Sequence, residues 1–156
     1  MENTIRVRRA TPEDLEILLQ FEQGVIHAER PFDPTLKNDV IFYYDIRQFI
    51  NSSTTEIVVA VKNDQIVGSG YASIRQAAPY FKHGPYAYLG FMYVDPAHRG
   101  EGINQMIMNA LFTWVRSKNI SELRLNVYEE NAAAIRAYEK VGFNKHMVEM
   151  RMSLDE

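Results

Sequence analysis

The chain contains no cysteine, which excludes disulfides, thiolate metal sites and a cysteine nucleophile together. It also lacks an excess of positive charge. Seventeen lysines and arginines stand against 20 acids, for a formal net charge of -3, so no nucleic-acid partner is expected. The densest basic run, Arg6 to Arg9, falls in a strand pattern. No apolar run approaches the roughly 20 residues that span a bilayer, and no membrane partner is expected. The N-terminal Met1 to Thr4 has neither the basic nor the apolar block of a secretory signal, which makes the cytoplasm the expected location. His27, His83, His98 and His146 are scattered without ligand spacing, so no metal is expected.

What is present is the balance of a folded globule. Of 156 residues, 46% are hydrophobic and 24% charged, enough for one domain over residues 1–156 with a core of its own. No repeat, low-complexity stretch or linker interrupts it.

Thr4 to Arg8 alternates as a short strand. Thr11 is a predicted helix cap, with Pro12 at the first helical position and Glu13 and Asp14 in the first turn. Leu15, Leu18, Leu19, Val25 and Ile26 follow at helical spacing. Two prolines, Pro31 and Pro34, end that helix, and a second, more aromatic one is predicted over Leu36 to Ile50. Ile57 to Val61 and Ile66 to Ile74, joined at Asn63-Asp64, read as a hairpin. A loop then leads to a strand over Tyr86 to Val94. The cleanest apolar stripe of the sequence, Ile103 to Val115, marks a helix. Leu123, Leu125 and Val127 alternate as a strand, Asn131 to Val141 is a helix stopped by Gly142, and Phe143 to Leu154 is a last strand. The order β-α-α-β-β-β-α-β-α-β predicts an α/β fold with a mixed sheet and helices on both faces.

Two stretches carry chemistry. Met92-Tyr93-Val94 runs through Asp95-Pro96 into Arg99-Gly100-Glu101-Gly102-Ile103-Asn104, which opens a helix. Glycines admit close backbone approach, and the free N–H groups of a helix start favour an anion. Taken alone, the turn is as compatible with a tight connection as with a ligand. Neither the G-x-x-x-x-G-K-[ST] loop nor the G-x-G-x-x-G fingerprint is present. The second stretch is Asn131 to Phe143, in which Tyr138 follows Asn131 by nearly two helical turns. Taken singly, Asn131 is a cap and Tyr138 a core aromatic.

Together the two stretches resemble the GNAT superfamily of N-acetyltransferases. The resemblance covers nearly the whole chain by element order, and its specific part runs from Met92 to Phe143. Arg99, Gly102 and Asn104 occupy the defined places of [RQ]-x-x-G-x-[GA], with Asn104 where Gly or Ala is usual. N-x-x-A-x-x-x-Y-E-K-x-G-F is matched at Asn131, Ala134, Tyr138, Glu139, Lys140, Gly142 and Phe143. The resemblance implies acetyl-CoA as cosubstrate and a primary amine, on a small molecule, peptide or protein, as acceptor. It also implies that the backbone of Met92, Tyr93 and Val94 pairs with the pantetheine arm. The N–H groups from Arg99 through Gly100, Glu101, Gly102 and Ile103 to Asn104 would hold the pyrophosphate. Asn131, with Ala134, would bind the pantetheine region, and Tyr138 would stand by the sulfur as general acid. A non-catalytic acyl-CoA-binding or sensing domain is the alternative function.

Many relatives carry an acid early in the strand before the pyrophosphate loop; here that place falls near Tyr88, and Tyr86 to Val94 contains none. Glu22, four residues after Leu18 on an apolar stripe, is the first candidate for a catalytic carboxylate that holds or deprotonates the amine, with pairing to an Arg or Lys as the alternative, because a buried acid is either paired or functional. Glu29 is the second. Phe42, Tyr43, Tyr44 and Phe49 read as core or as acceptor cleft, and Tyr80 and Phe81 as a homodimer contact or a substrate wall.

Overall fold

The computed structural model describes residues 4–155, which form two compact units, one running to Asn126 and the other starting at Val127. In the first unit β1 (Ile5–Arg9), β2 (Thr55–Lys62), β3 (Gln65–Arg75), β4 (Tyr86–Val94) and β5 (Leu123–Arg124) lie side by side in chain order. All neighbours are antiparallel except β4 and β5, which are parallel. The β2–β3 hairpin closes over Asn63 and Asp64, both at positive φ, with Lys62 opposite Gln65. Two left-handed residues match the strand twist, and Asn and Asp tolerate them best.

One face of the sheet packs against α1 (Leu15–Glu29) and α2 (Ile46–Ile50). Leu18, Phe21, Val25, Ile46 and Ile50 meet Ile57, Val59, Val61, Tyr71 and Phe91 in this core. The other face takes the apolar stripe of α3 (Ile103–Ser117), whose Ile107 lies against Gly68 and Gly70 of β3. At Thr11 the expected cap opens a single 3-10 turn, Pro12–Asp14, and α1 proper starts at Leu15. Buried Asp14 accepts the Thr11 N–H at 2.8 Å and pairs with both guanidinium nitrogens of Arg8 at 2.7 and 3.0 Å.

The predicted helix over Leu36 to Ile50 is corrected. Only Ile46–Ile50 is helical, and Asp45 caps it by accepting the Gln48 N–H. In the ten residues before it, five backbone groups are taken by side chains of α1 and of Arg30, the residue that follows α1. Arg30 donates to the carbonyls of Lys37 and Asp39, Gln23 to that of Ile41, and Glu22 accepts the N–H groups of Tyr43 and Tyr44. Backbone groups occupied this way cannot close helical i→i+4 bonds.

In the second unit α4 (Ala132–Val141) begins at Asn131, whose Oδ1 accepts the Ala134 N–H, and ends at Gly142, left-handed at φ 117°. The expected last strand, Phe143 to Leu154, forms no ladder within this unit. A strand exists only against a partner, and α4 is the one regular element among the described residues there.

Candidate active site

In the first unit β4 lies between β3 and the edge strand β5, and a bulge divides it. Gly90 lies opposite Tyr71 and Tyr93 opposite Ser69, so Phe91 and Met92 together face Gly70 alone. Phe91 absorbs the extra residue at φ 57°, a costly angle for an aromatic side chain, and its carbonyl accepts the buried Ser69 hydroxyl at 3.2 Å. The bulge resets the alternation. Phe91 joins the α1-side core, Met92 turns to the α3 side beside Gly70, and Tyr93 turns back to α1. There its ring packs 4.7 Å from that of Phe21 and lies against Gly24. The β5 ladder reaches only Ala87 and Tyr88. Beyond those two residues, Met92, Tyr93 and Val94 have no β5 partner within the first unit, although Leu123, Leu125 and Val127 were expected to continue that strand.

Past Val94, Asp95 accepts the Ala97 N–H and steers a 3-10 turn into an exposed loop. Gly100 at φ 83° and Gly102 at φ 79° are left-handed, and Gly102 is the cap of α3. The first α-helical bond runs from Met106 N–H to the Gly102 carbonyl. Ile103, Asn104 and Gln105 therefore have N–H groups without an intrahelical acceptor. Lys62 and His98 flank Glu101, and the Lys62 ammonium holds that carboxyl below the usual range. Arg99 is extended and exposed. The fit to a diphosphate is good: positive-φ glycines, helix-start N–H groups and an acid whose charge is already matched.

Glu22 is fully buried. Its Oε2 accepts two N–H groups, from Tyr43 at 2.6 Å and Tyr44 at 2.8 Å, while Oε1 is buried without a hydrogen-bond partner. Sequence reasoning placed this acid on an apolar stripe, and the structure shows it ordering the segment that carries two tyrosines. That segment makes an aromatic wall. Tyr44 meets Phe91, Tyr71 and Tyr43 at centroid distances of 5.1, 5.4 and 5.7 Å, and burial pushes its hydroxyl far above the usual phenol range. The Arg75 guanidinium lies 3.9 Å over the Tyr88 ring. No motif marks Arg75, and only the β3–β4 register reveals the pair. Half-buried Glu29 meets the Tyr43 hydroxyl, and its charge is felt at Tyr44 and Tyr88.

In the second unit Asn131 and Ala134 are joined by the cap bond of 3.2 Å. Tyr138 is half-buried on α4, with its ring 5.9 Å from Phe143. Among the described residues, no three His, Cys, Asp or Glu side chains gather as a metal site, and no helix is long and apolar enough to cross a membrane.

A mixed sheet whose bulged fourth strand runs through a glycine turn into a helix start is the arrangement expected of an acyltransferase of the resembled family. The pattern of the acetyltransferase (GNAT) family matches residues 22–143, and the chain belongs to that family. Mycothiol acetyltransferase of Streptosporangium roseum is 35% identical over 68 residues, 44% of this chain and 20% of that protein. The match thus spans about a fifth of that relative. Among solved structures, a mutant of the BH1408 protein of Bacillus halodurans superposes with a TM-score of 0.85 at 20% identity, covering 96% of this chain and 99% of that one. A predicted acetyltransferase of Clostridium acetobutylicum, solved with acetyl-CoA, gives 0.73 at 22% identity and 97% of both chains.

Proposed function

We propose that the chain is an N-acetyltransferase that moves an acetyl group from acetyl-CoA directly to a primary amine. The supporting observation is the path from β4 into α3. A strand end without a β5 partner meets two left-handed glycines and a helix start rich in free N–H groups. The Clostridium acetobutylicum structure with acetyl-CoA, which shares this fold, adds support. In this reading Met92, Tyr93 and Val94 offer backbone groups to the pantetheine arm, and the loop from Arg99 to Asn104 receives the pyrophosphate. Asn131 and Ala134 contact the pantetheine region, and Glu22 positions the tyrosine wall. As the C–N bond forms and the C–S bond breaks, the amine loses a proton and the departing thiolate gains one. The Tyr138 phenol is the donor. An alkyl amine of pKa ~10.4 is only about 0.04% neutral at pH 7, so the lost proton needs an acceptor at the site.

The test is release of free CoA thiol from acetyl-CoA against a panel of amino acids, polyamines, aminoglycosides and peptide N-termini. Amine-dependent release with mass-confirmed acetylamide supports the reading. Tight acetyl-CoA binding without turnover on any amine would make the chain a CoA-binding or sensing domain instead.

A further inference from the structure

We propose that Glu29 is the carboxylate that receives the acceptor amine and takes its proton. This rests on the acetyltransferase reading above and names the group that reading leaves open. Tyr86 to Val94 contains no acid, and the other carboxylates near β4 are committed. Glu22 is sealed beneath two backbone N–H groups, Asp95 and Asp45 cap turns, and Glu101 is paired with Lys62. Asp14 is held by Arg8, Glu56 by Arg9 and Glu122 by Arg124.

Glu29 differs from all of these. It ends α1 half-buried, and no cation figures in its surroundings, which are the Tyr43 hydroxyl and the Asp33 carboxylate. The cation next in sequence, Arg30, is turned to the carbonyls of Lys37 and Asp39. Tyr44 and Tyr88 both feel the Glu29 charge, so the carboxylate lies within electrostatic reach of the aromatic wall and of β4. Arg75 lies over Tyr88. A carboxylate without a cation, among phenol rings, fits an ammonium group through charge and through the ring faces. Burial pushes the Glu29 carboxyl up, and the Tyr43 hydroxyl draws it partly back. The upward push, the larger of the two, suits a base working near neutral pH. The ammonium proton passes to a Glu29 oxygen, the freed nitrogen pair forms the C–N bond, and the C–S electrons leave on the thiolate that Tyr138 protonates.

The experiment compares wild type, Glu29→Gln, Glu29→Asp and Tyr43→Phe with two acceptors. Phenethylamine is an ammonium ion at pH 7, and O-benzylhydroxylamine is already neutral. Glu29→Gln is expected to lower kcat/KM for phenethylamine at pH 7 on the order of 10². It should largely retain the rate with O-benzylhydroxylamine and bind acetyl-CoA as wild type does. Glu29→Asp is expected to restore part of the phenethylamine rate. Tyr43→Phe, losing the hydroxyl that favours the ionised carboxylate, should move the acidic limb of the kcat/KM profile upward. Equal losses on both acceptors, or an unchanged phenethylamine profile in Glu29→Gln, overturn the proposal while leaving the acetyltransferase reading intact. A wild-type protein that acetylates neither amine nor any member of the wider panel overturns that reading, and this proposal with it.

Discussion

The two sides of β4 are built on different principles. On the α3 side the connection is made by backbone: Gly100 and Gly102 take dihedrals that other residues avoid, and α3 starts there with its first-turn N–H groups unspent. On the α1 side the wall is held by side chains reaching into a non-helical segment, from Glu22, Gln23 and Arg30 to the backbone of residues 37–44. A backbone-built site is tied to a few residue types at fixed spacing, and a short motif records it. A side-chain-built wall depends on pairs far apart in sequence, so it can change its lining without changing the fold. A common cosubstrate and a variable acceptor call for that division.

Breaking the side-chain wall should have the largest effect. Glu22→Ala strands two buried N–H groups, and the expected loss of stability is about 3 kcal/mol, read as a lower urea midpoint at unchanged m-value. A stability equal to wild type would show that the wall does not depend on this clamp. Glu22→Gln keeps an acceptor oxygen and should cost less, which separates hydrogen bonding from charge.

The next effect belongs to α4. Tyr138→Phe keeps the ring and removes the hydroxyl, so acetyl-CoA affinity should persist while kcat falls on the order of 10². A wild-type kcat would leave Tyr138 with packing alone. On the backbone-built side, Gly102→Val forces a β-branched residue to φ 79°, a strain of roughly 1–3 kcal/mol. Titration with CoA should show about tenfold or greater loss of affinity, with the α1-side wall unaffected. Identical binding curves would dissociate the glycine turn from the ligand.

A smaller effect sharpens the contrast through pH. Arg8 holds the Asp14 carboxyl below its usual range, so the folded state favours the ionised acid. That stabilisation is fully present above the unfolded carboxyl's value of ~3.9 and is lost as pH falls through the lower, folded value. Asp14→Asn should flatten the stability profile in that acidic window and leave acetyl-CoA binding at neutral pH alone.

Legibility in the sequence followed the same division. The hairpin at Asn63-Asp64, the start of α3 after Gly102 and the Asn131 and Gly142 ends of α4 were all readable, because local chemistry decides them. The glycine turn proposed to receive the pyrophosphate was readable for the same reason. The aromatic run from Leu36 to Tyr44 reads as part of a helix, yet its backbone partners are Glu22, Gln23 and Arg30, 7 to 22 residues away. The bulge at Phe91 had no local signal either, since a phenylalanine is a poor choice for positive φ. Glu22 was visible as an anomaly on an apolar stripe, but only the fold shows which backbone groups it serves. Arg75 carried no signal, because its partner Tyr88 is set by strand register.

Gly24 sits mid-helix in α1, where a methyl group in place of its hydrogen would lie 2.5 Å from Cε1 of Tyr93. The helix thus comes as near to β4 as a residue without a side chain allows, and this one position works as a spacer of zero thickness. Adding atoms there would tilt the Tyr93 ring or lift α1, and with α1 would go Glu22, Glu29 and the tyrosines they hold. Gly24→Ala gains about 1 kcal/mol in helix propensity, so a net change near zero in stability would itself measure the cost of moving the ring. The spacing between α1 and β4 would then be adjustable at this one residue, one methyl group at a time.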